Sequence, residues 1–143
     1  MNNTQIVIAM PTGGTIRTET VSSLITNLYY LGSKDMKANL IFQMGGYVAV
    51  NRNGLVQEAI KSGGTHIMFI DGDMMFPQDG VYRLLQDNKE IVGANYNVRI
   101  DPLAVEKSGT TITMWDTKTK RAAKPLEIPD ELFQAYSVAT GFM

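Results

Sequence analysis

No cysteine occurs in the 143-residue chain, which excludes disulfides, thiolate zinc sites and cysteine nucleophiles together. Neither sign of charge is in excess. With 13 Lys and Arg against 14 Asp and Glu, there is no chain-wide electrostatic case for nucleic acid or an anionic membrane surface. A polyanion would have to be held locally. Long hydrophobic runs are missing too: none approaches the roughly 18 residues needed to span a bilayer. The opening Met1-Asn2-Asn3-Thr4-Gln5 lacks the basic start of a secretory signal. These absences predict a soluble protein, cytoplasmic by default. At this length one domain, residues 1–143, can bury a real core, whereas two would be cramped.

What is present centres on Thr65 to Pro77, an apolar run that delivers two carboxylates one residue apart, Asp71-Gly72-Asp73. Residues 67–70 show no alternation, which predicts a strand covered on both faces, as in parallel sheets flanked by helices. The ends of such strands are where open α/β sheets hold ligands. Two carboxylates so placed repel each other, and a hard cation such as Mg²⁺ or Mn²⁺ relieves the repulsion while keeping coordination sites for a diphosphate. Gly72 lets the backbone bend closely around such a ligand. The plainer alternative is a polar turn in which Asp71 and Asp73 cap the following helix.

The surrounding pattern repeats strand and helix. Residues 5–10 form a second unbroken apolar run, broken by Pro11-Thr12-Gly13-Gly14-Thr15. Thr18 is suited to cap a helix in which Val21, Leu24, Ile25, Leu28 and Leu31 form the inward face, with Glu19 in the first turn and Gly32 just past the end. Residues 39–43 read as a short strand. A second helix carries Leu55, Val56, Ala59 and Ile60 and closes at Gly63-Gly64. After the Asp-Gly-Asp strand, Pro77 marks a helix start with Val81, Leu84 and Leu85 inward, and residues 90–94 read as another strand. This β-α-β-α-β-α-β order predicts an α/β fold with a mostly parallel sheet and right-handed crossovers. Beyond it, residues 110–115 alternate and, with a polar turn over 116–121, predict a hairpin appended to that sheet. Residues 130–136 read as a short helix, and residues 137–143 as the start of a buried strand.

In this order the chain resembles the donor-binding half of a GT-A-fold (Rossmann-like) glycosyltransferase, of the family 2-like kind common in bacteria and their phages. The resemblance is carried by five segments: Ile6-Val7-Ile8-Ala9-Met10-Pro11-Thr12, Asn51-Arg52-Asn53-Gly54-Leu55-Val56, the DxD strand with its trailing Phe76-Pro77, Ile91-Val92-Gly93-Ala94-Asn95-Tyr96, and Ala139-Thr140-Gly141-Phe142-Met143. It implies a nucleoside diphosphate sugar as donor and a divalent metal, Mn²⁺ or Mg²⁺, held by Asp73 and secondarily by Asp71. It also implies that Pro11 and Thr12 line the nucleoside pocket, with Asp71 beside them, and that Arg52 contacts the nucleotide through its planar fork. A solvated arginine would be the plain reading of Arg52, but a cation at a helix start is unfavourable without an anion. Gly13 and Gly14 suit either phosphate-binding N–H groups or simple turn chemistry.

The chain departs from that family where it ends. The acceptor half, which usually supplies a catalytic carboxylate after the Gly-Phe-Met strand, is not in the sequence, so another subunit or further sequence is expected to cover the edge beyond Met143. No catalytic base is identified: Asp101, Glu106, Asp116, Asp130 and Glu131 are available but unremarkable in spacing. His66, the only histidine, reads as structural. Met74 and Met75 read as packing residues, because a thioether suits a hard cation poorly. Tyr96 and Trp115 suit either stacking on a ring or filling core edges. The main rival is a truncated module of the same fold that binds without turnover. A haloacid dehalogenase-type phosphatase ranks lower, since the motif lies on the third strand and Met75 stands where that family has Thr or Val. A Rossmann dehydrogenase lacks its glycine fingerprint here.

Overall fold

The computed structural model describes residues 4–96, 114–116, 120–123, 131–135, 137 and 141–143. Its elements run β1 (Gln5–Thr12), α1 (Thr18–Ser33), β2 (Lys37–Met44), α2 (Val48–Lys61), β3 (His66–Phe69), α3 (Gly80–Gln86), β4 (Met114–Asp116) and β5 (Arg121–Ala123). The strands β2-β1-β3 form a parallel sheet with β1 in the middle. This is an α/β arrangement compatible with a Rossmann-like fold. The central position explains why β1 reads as a continuous apolar run: residues 6–10 are wholly buried. Ile6, Ile8 and Met10 face α1 and α3, packing with Leu24, Leu31 and Val81, while Ala9 faces α2 with Leu55 and Phe69.

Helix α1 turns a different face inward from the one its apolar residues predict. Leu24 and Leu31 are buried as expected, but Val21 and Ile25 are 41% and 50% exposed, and the polar Thr20 and Asn27 are buried in their place. The cause lies far along the chain. The Thr20 hydroxyl donates to the Gly72 carbonyl (3.1 Å), the Asn27 amide to the Gln78 carbonyl (2.9 Å), and the Phe76 N–H to the Ser23 hydroxyl (3.3 Å). Burying these side chains satisfies backbone groups of the loop after β3, which outweighs the preference of two aliphatic residues for the interior. Thr18 is the first helical residue rather than the cap, and Gly32 lies within the last turn. The helix ends at Ser33 with Lys34 as its cap, and Asp35 just beyond adopts φ 56°.

Other expectations shift as well. β2 spans eight residues, three more than predicted. Helix α2 begins at Val48, so Asn51 and Arg52 sit a turn inside it, and α3 begins at Gly80, three residues after Pro77. The hairpin exists, with β4 and β5 antiparallel, but as a separate two-stranded sheet. Residues 110–113 lie outside the described residues. Residues 90–94 do not form a strand, and residues 131–135 are not helical; Asp130 and Tyr136 lie outside the described residues.

The chain reaches the far side of β3 by another route. Phe69 and Met143 exchange both backbone hydrogen bonds (2.6 and 3.0 Å), and the Asp71 N–H donates to the Gly141 carbonyl (2.9 Å). Ile70 and Phe142 thus form an antiparallel bridge, and the Phe142 carbonyl accepts the Ala94 N–H on its other side (3.2 Å). Residues 141–143 thus pair with residues 69–71 on one flank, Phe142 meets Ala94 on the other, and Phe142 is buried.

Candidate functional site

Because β1, β2 and β3 are parallel, their C-terminal ends share one edge of the sheet, and the loops that follow them meet there. They enclose a pocket of about 540 Å³, within the usual size of small-molecule sites. Its lining brings together every residue assigned a nucleotide or metal role from the sequence: Pro11 and Thr12 from β1, Arg52 from α2, Asp71 and Asp73 from the loop after β3. The chain separates the first of these from the last by some sixty residues, and the topology reunites them.

The loop after β1 is built by Thr12. Its hydroxyl accepts the Gly14 N–H (2.8 Å) and its carbonyl accepts the Gly45 N–H (3.3 Å). Gly14 sits at φ +107°, a conformation that a side chain would strain. Turn chemistry therefore accounts for the second glycine, while Gly13 lines the pocket. The third wall, Gly45 and Gly46, is held by Asn51, whose buried side chain donates to the Gly45 carbonyl (3.2 Å).

The Asp-Gly-Asp loop is clamped by α1. Its Gly72 carbonyl accepts both the Arg17 N–H (2.8 Å) and the Thr20 hydroxyl. Within the loop the Met74 N–H donates to the Asp71 carbonyl (3.2 Å). Gly141 closes against it: a β-carbon there would strike the Tyr96 hydroxyl and lie 3.1 Å from Asp71 Oδ2. The Gly141 N–H donates to that same hydroxyl (3.0 Å). Tyr96 is thus a support for the loop from behind rather than a stacking residue in this pocket.

The anion that Arg52 meets is Asp71, with Nη2 to Oδ1 at 3.0 Å. The guanidinium also lies over the Phe69 ring, 5.6 Å from its centroid. Burial pushes the Asp71 carboxyl above its ordinary value, the Arg52 charge and hydrogen bond pull it back, and the Asp73 charge pushes it up again. The two carboxylates therefore feel each other, and a cation bound between them would offset their repulsion and favour the ionised form of both. Among the described residues no group of three His, Cys, Asp or Glu side chains could close around a metal. A metal here would take two protein carboxylates and complete its shell with oxygens from solvent or a diphosphate, the habit of Mg²⁺-type sites.

Arg17 and Asn51 line the pocket without having been given roles from the sequence. Arg17 had a legible signal: it follows the Gly-Gly turn and opens a helix, the same setting that drew attention to Arg52. Asn51 was quoted within a motif, but its bond to Gly45 has no local signature. His66 is exposed at the opposite end of β3, where its Nδ1 shares a 2.9 Å hydrogen bond with the Thr65 hydroxyl. Met74 packs against the core as expected, whereas Met75 is exposed. Glu131 is exposed and outside the pocket, and Asp116 and Trp115 belong to β4. Asp101, Glu106 and Asp130 lie outside the described residues.

Comparison with family models, with curated proteins and with solved structures returns no match for this chain. Among the described residues no helix is long and apolar enough to cross a membrane.

Proposed function

We propose that the chain is a GT-A-like glycosyltransferase domain that binds a nucleoside diphosphate sugar together with a divalent cation. One observation carries the reading: Pro11, Thr12, Arg52, Asp71 and Asp73, scattered in sequence, line a single pocket at the C-terminal ends of parallel strands. On this reading Asp73, and secondarily Asp71, hold Mn²⁺ or Mg²⁺, which would offset the negative charge that grows on the departing diphosphate. Pro11 and Thr12 present a rigid, shallow wall to the nucleoside. Arg52 fixes the Asp71 carboxylate in one rotamer and supplies positive charge beside the phosphates. Arg17, at the mouth of the pocket, adds a second cation on the side of the Gly-Gly turn.

A second reading, binding without turnover, has its own support. The described lining of the pocket contains no glutamate or histidine, and its only acids are the two carboxylates already assigned to the metal. A transferase must activate the acceptor hydroxyl as well as hold the donor. Thermal-shift measurements with a panel of nucleoside diphosphates, with Mn²⁺ and with EDTA, test the shared part of both readings. A ligand at a hundredfold excess over its Kd adds about 2.7 kcal/mol of stability, and the shift is expected only when the metal is present. Equal shifts in Mn²⁺ and EDTA would remove the metal from the account, and no shift with any nucleotide would remove both readings. Release of free sugar or glycoside from a labelled donor then separates enzyme from module.

A further inference from the structure

The Asp-Gly-Asp loop has a second cavity behind it. Residues 74–77, helix α3, residues 93–96 and residues 131–135 surround an open pocket of about 580 Å³. Its floor is aromatic and fixed: Phe76 and Phe142 meet with ring centroids 4.8 Å apart at a tilt of 43°, and Phe142 is only 4% exposed. Phe133, half-buried, and Leu132, 56% exposed, form the facing wall. Arg83, Asp87, Asn95 and Glu131 supply its polar lining, and all but Asp87 are exposed.

We propose that this pocket binds a neutral saccharide, with sugar ring faces against Phe76 and Phe133 and sugar hydroxyls on the polar rim. A pyranose offers an apolar C–H face and an edge of hydroxyls that both donate and accept. Aromatic faces suit the first. Carboxylates that accept, a guanidinium that donates and an amide that does both suit the second. A hydrocarbon chain would desolvate the rim without returning its hydrogen bonds. Among the described residues of its lining, a phosphate or other anion would face two carboxylates against one guanidinium, a net repulsion.

Hydrogen bonds through Gly141 connect the linings of the two pockets. Tyr96 lines the saccharide pocket, and its hydroxyl accepts the Gly141 N–H, while the Gly141 carbonyl accepts the Asp71 N–H. Asp71 lines the other pocket. A sugar bound behind the loop would therefore be linked to Asp71 through Tyr96 and Gly141. Saccharide binding itself does not depend on the transferase reading; only the role of that sugar as acceptor rests on it.

The test is an amide-resolved NMR titration of the full chain with cellobiose, maltose and di-N-acetylchitobiose, with inorganic phosphate and a dodecyl-chain detergent below its micelle concentration as controls. The expected result is saturable shifts at Leu84, Ala94, Tyr96 and Leu132 with at least one disaccharide and with neither control. Phe133→Ala and Glu131→Gln, both at solvent-accessible positions, should each weaken that binding by about tenfold, near the 1.4 kcal/mol of a single good contact, and leave nucleoside diphosphate binding unchanged. No shift with any disaccharide at tens of millimolar would overturn the proposal, as would preferential binding of the detergent or phosphate at the same amides. Saccharide binding without nucleotide binding would keep this site and remove the transferase reading. Nucleotide binding without saccharide binding would do the reverse.

Discussion

Replacing Arg52 with alanine should produce a loss of stability that depends on pH in a direction fixed by Asp71. The two side chains are 22% and 38% exposed, so their ion pair lies between two limits. Exposed pairs contribute about 0–1 kcal/mol, and removing one partner of a fully buried pair costs about 3–5 kcal/mol. Asp71 is more than a third exposed, which places the pair nearer the first limit, at about 1–1.5 kcal/mol. Loss of the guanidinium from the Phe69 face adds roughly 0.5 kcal/mol. The expected cost of Arg52→Ala near pH 7 is therefore about 2 kcal/mol.

The sign of the pH dependence follows from the raised Asp71 carboxyl. Its folded-state value lies above the ordinary 3.8, so the folded chain holds this proton more tightly than the unfolded chain. The stability from that proton is present below the unfolded value and is lost as pH rises through the folded one. Without Arg52 the folded value climbs further, because burial and Asp73 both push upward unopposed, and more stability is lost over the same interval. The gap between parent and Arg52→Ala should thus be widest near pH 7 and shrink toward the roughly 0.5 kcal/mol packing remainder as pH falls below the ordinary carboxylate value, where Asp71 gains its proton in both. Urea unfolding in the presence of a chelator measures it directly. A gap that stays constant from pH 4 to pH 7, or widens toward acid, would refute the assignment of Asp71 as the partner whose charge Arg52 compensates.

Three further changes probe the framework. Asn27→Leu removes the donor to the Gln78 carbonyl and leaves that carbonyl without this partner; a loss of about 1–3 kcal/mol is expected in denaturant unfolding, and a neutral result would mean that solvent replaces the bond. Thr20→Val should cost less, about 1 kcal/mol, because Gly72 keeps its bond from the Arg17 N–H. Gly141→Ala forces a methyl against the Tyr96 hydroxyl and Asp71 Oδ2; it should lower stability by about 1–3 kcal/mol and weaken Mn²⁺ binding, and unchanged metal affinity would disconnect Gly141 from the Asp71 carboxylate.

The parts of this molecule that could be read in the sequence are those whose cause is local. β1 and β3 announce themselves as apolar runs because a strand paired on both sides needs burial on both faces, and Asp71 and Asp73 could be named because they follow the end of β3, whereas Pro11, Thr12 and Arg52 were named only through the resemblance. What stayed hidden depends on contacts between distant segments. Thr20 and Asn27 face inward because carbonyls some fifty residues away require donors, and no helical periodicity encodes that. Residues 90–94 have the composition of a strand, yet no strand forms there; the flank of β3 beyond Ile70 is taken by residues 141–143, running antiparallel. The Arg52–Asp71 pair was missed for the same reason. Each residue was singled out for a charge that needed a partner, and each is the other's.

The central claim is that Asp71 and Asp73 hold a divalent cation through which a nucleoside diphosphate binds. Titration calorimetry of uridine and guanosine diphosphate into the parent chain and into Asp73→Asn, each in Mn²⁺ and in EDTA, tests it most directly. The account predicts binding by the parent in Mn²⁺ only, and loss of that dependence in Asp73→Asn while unfolding shows the variant still folded. Metal-independent binding by the parent, or unaltered Mn²⁺-dependent binding by Asp73→Asn, would contradict it.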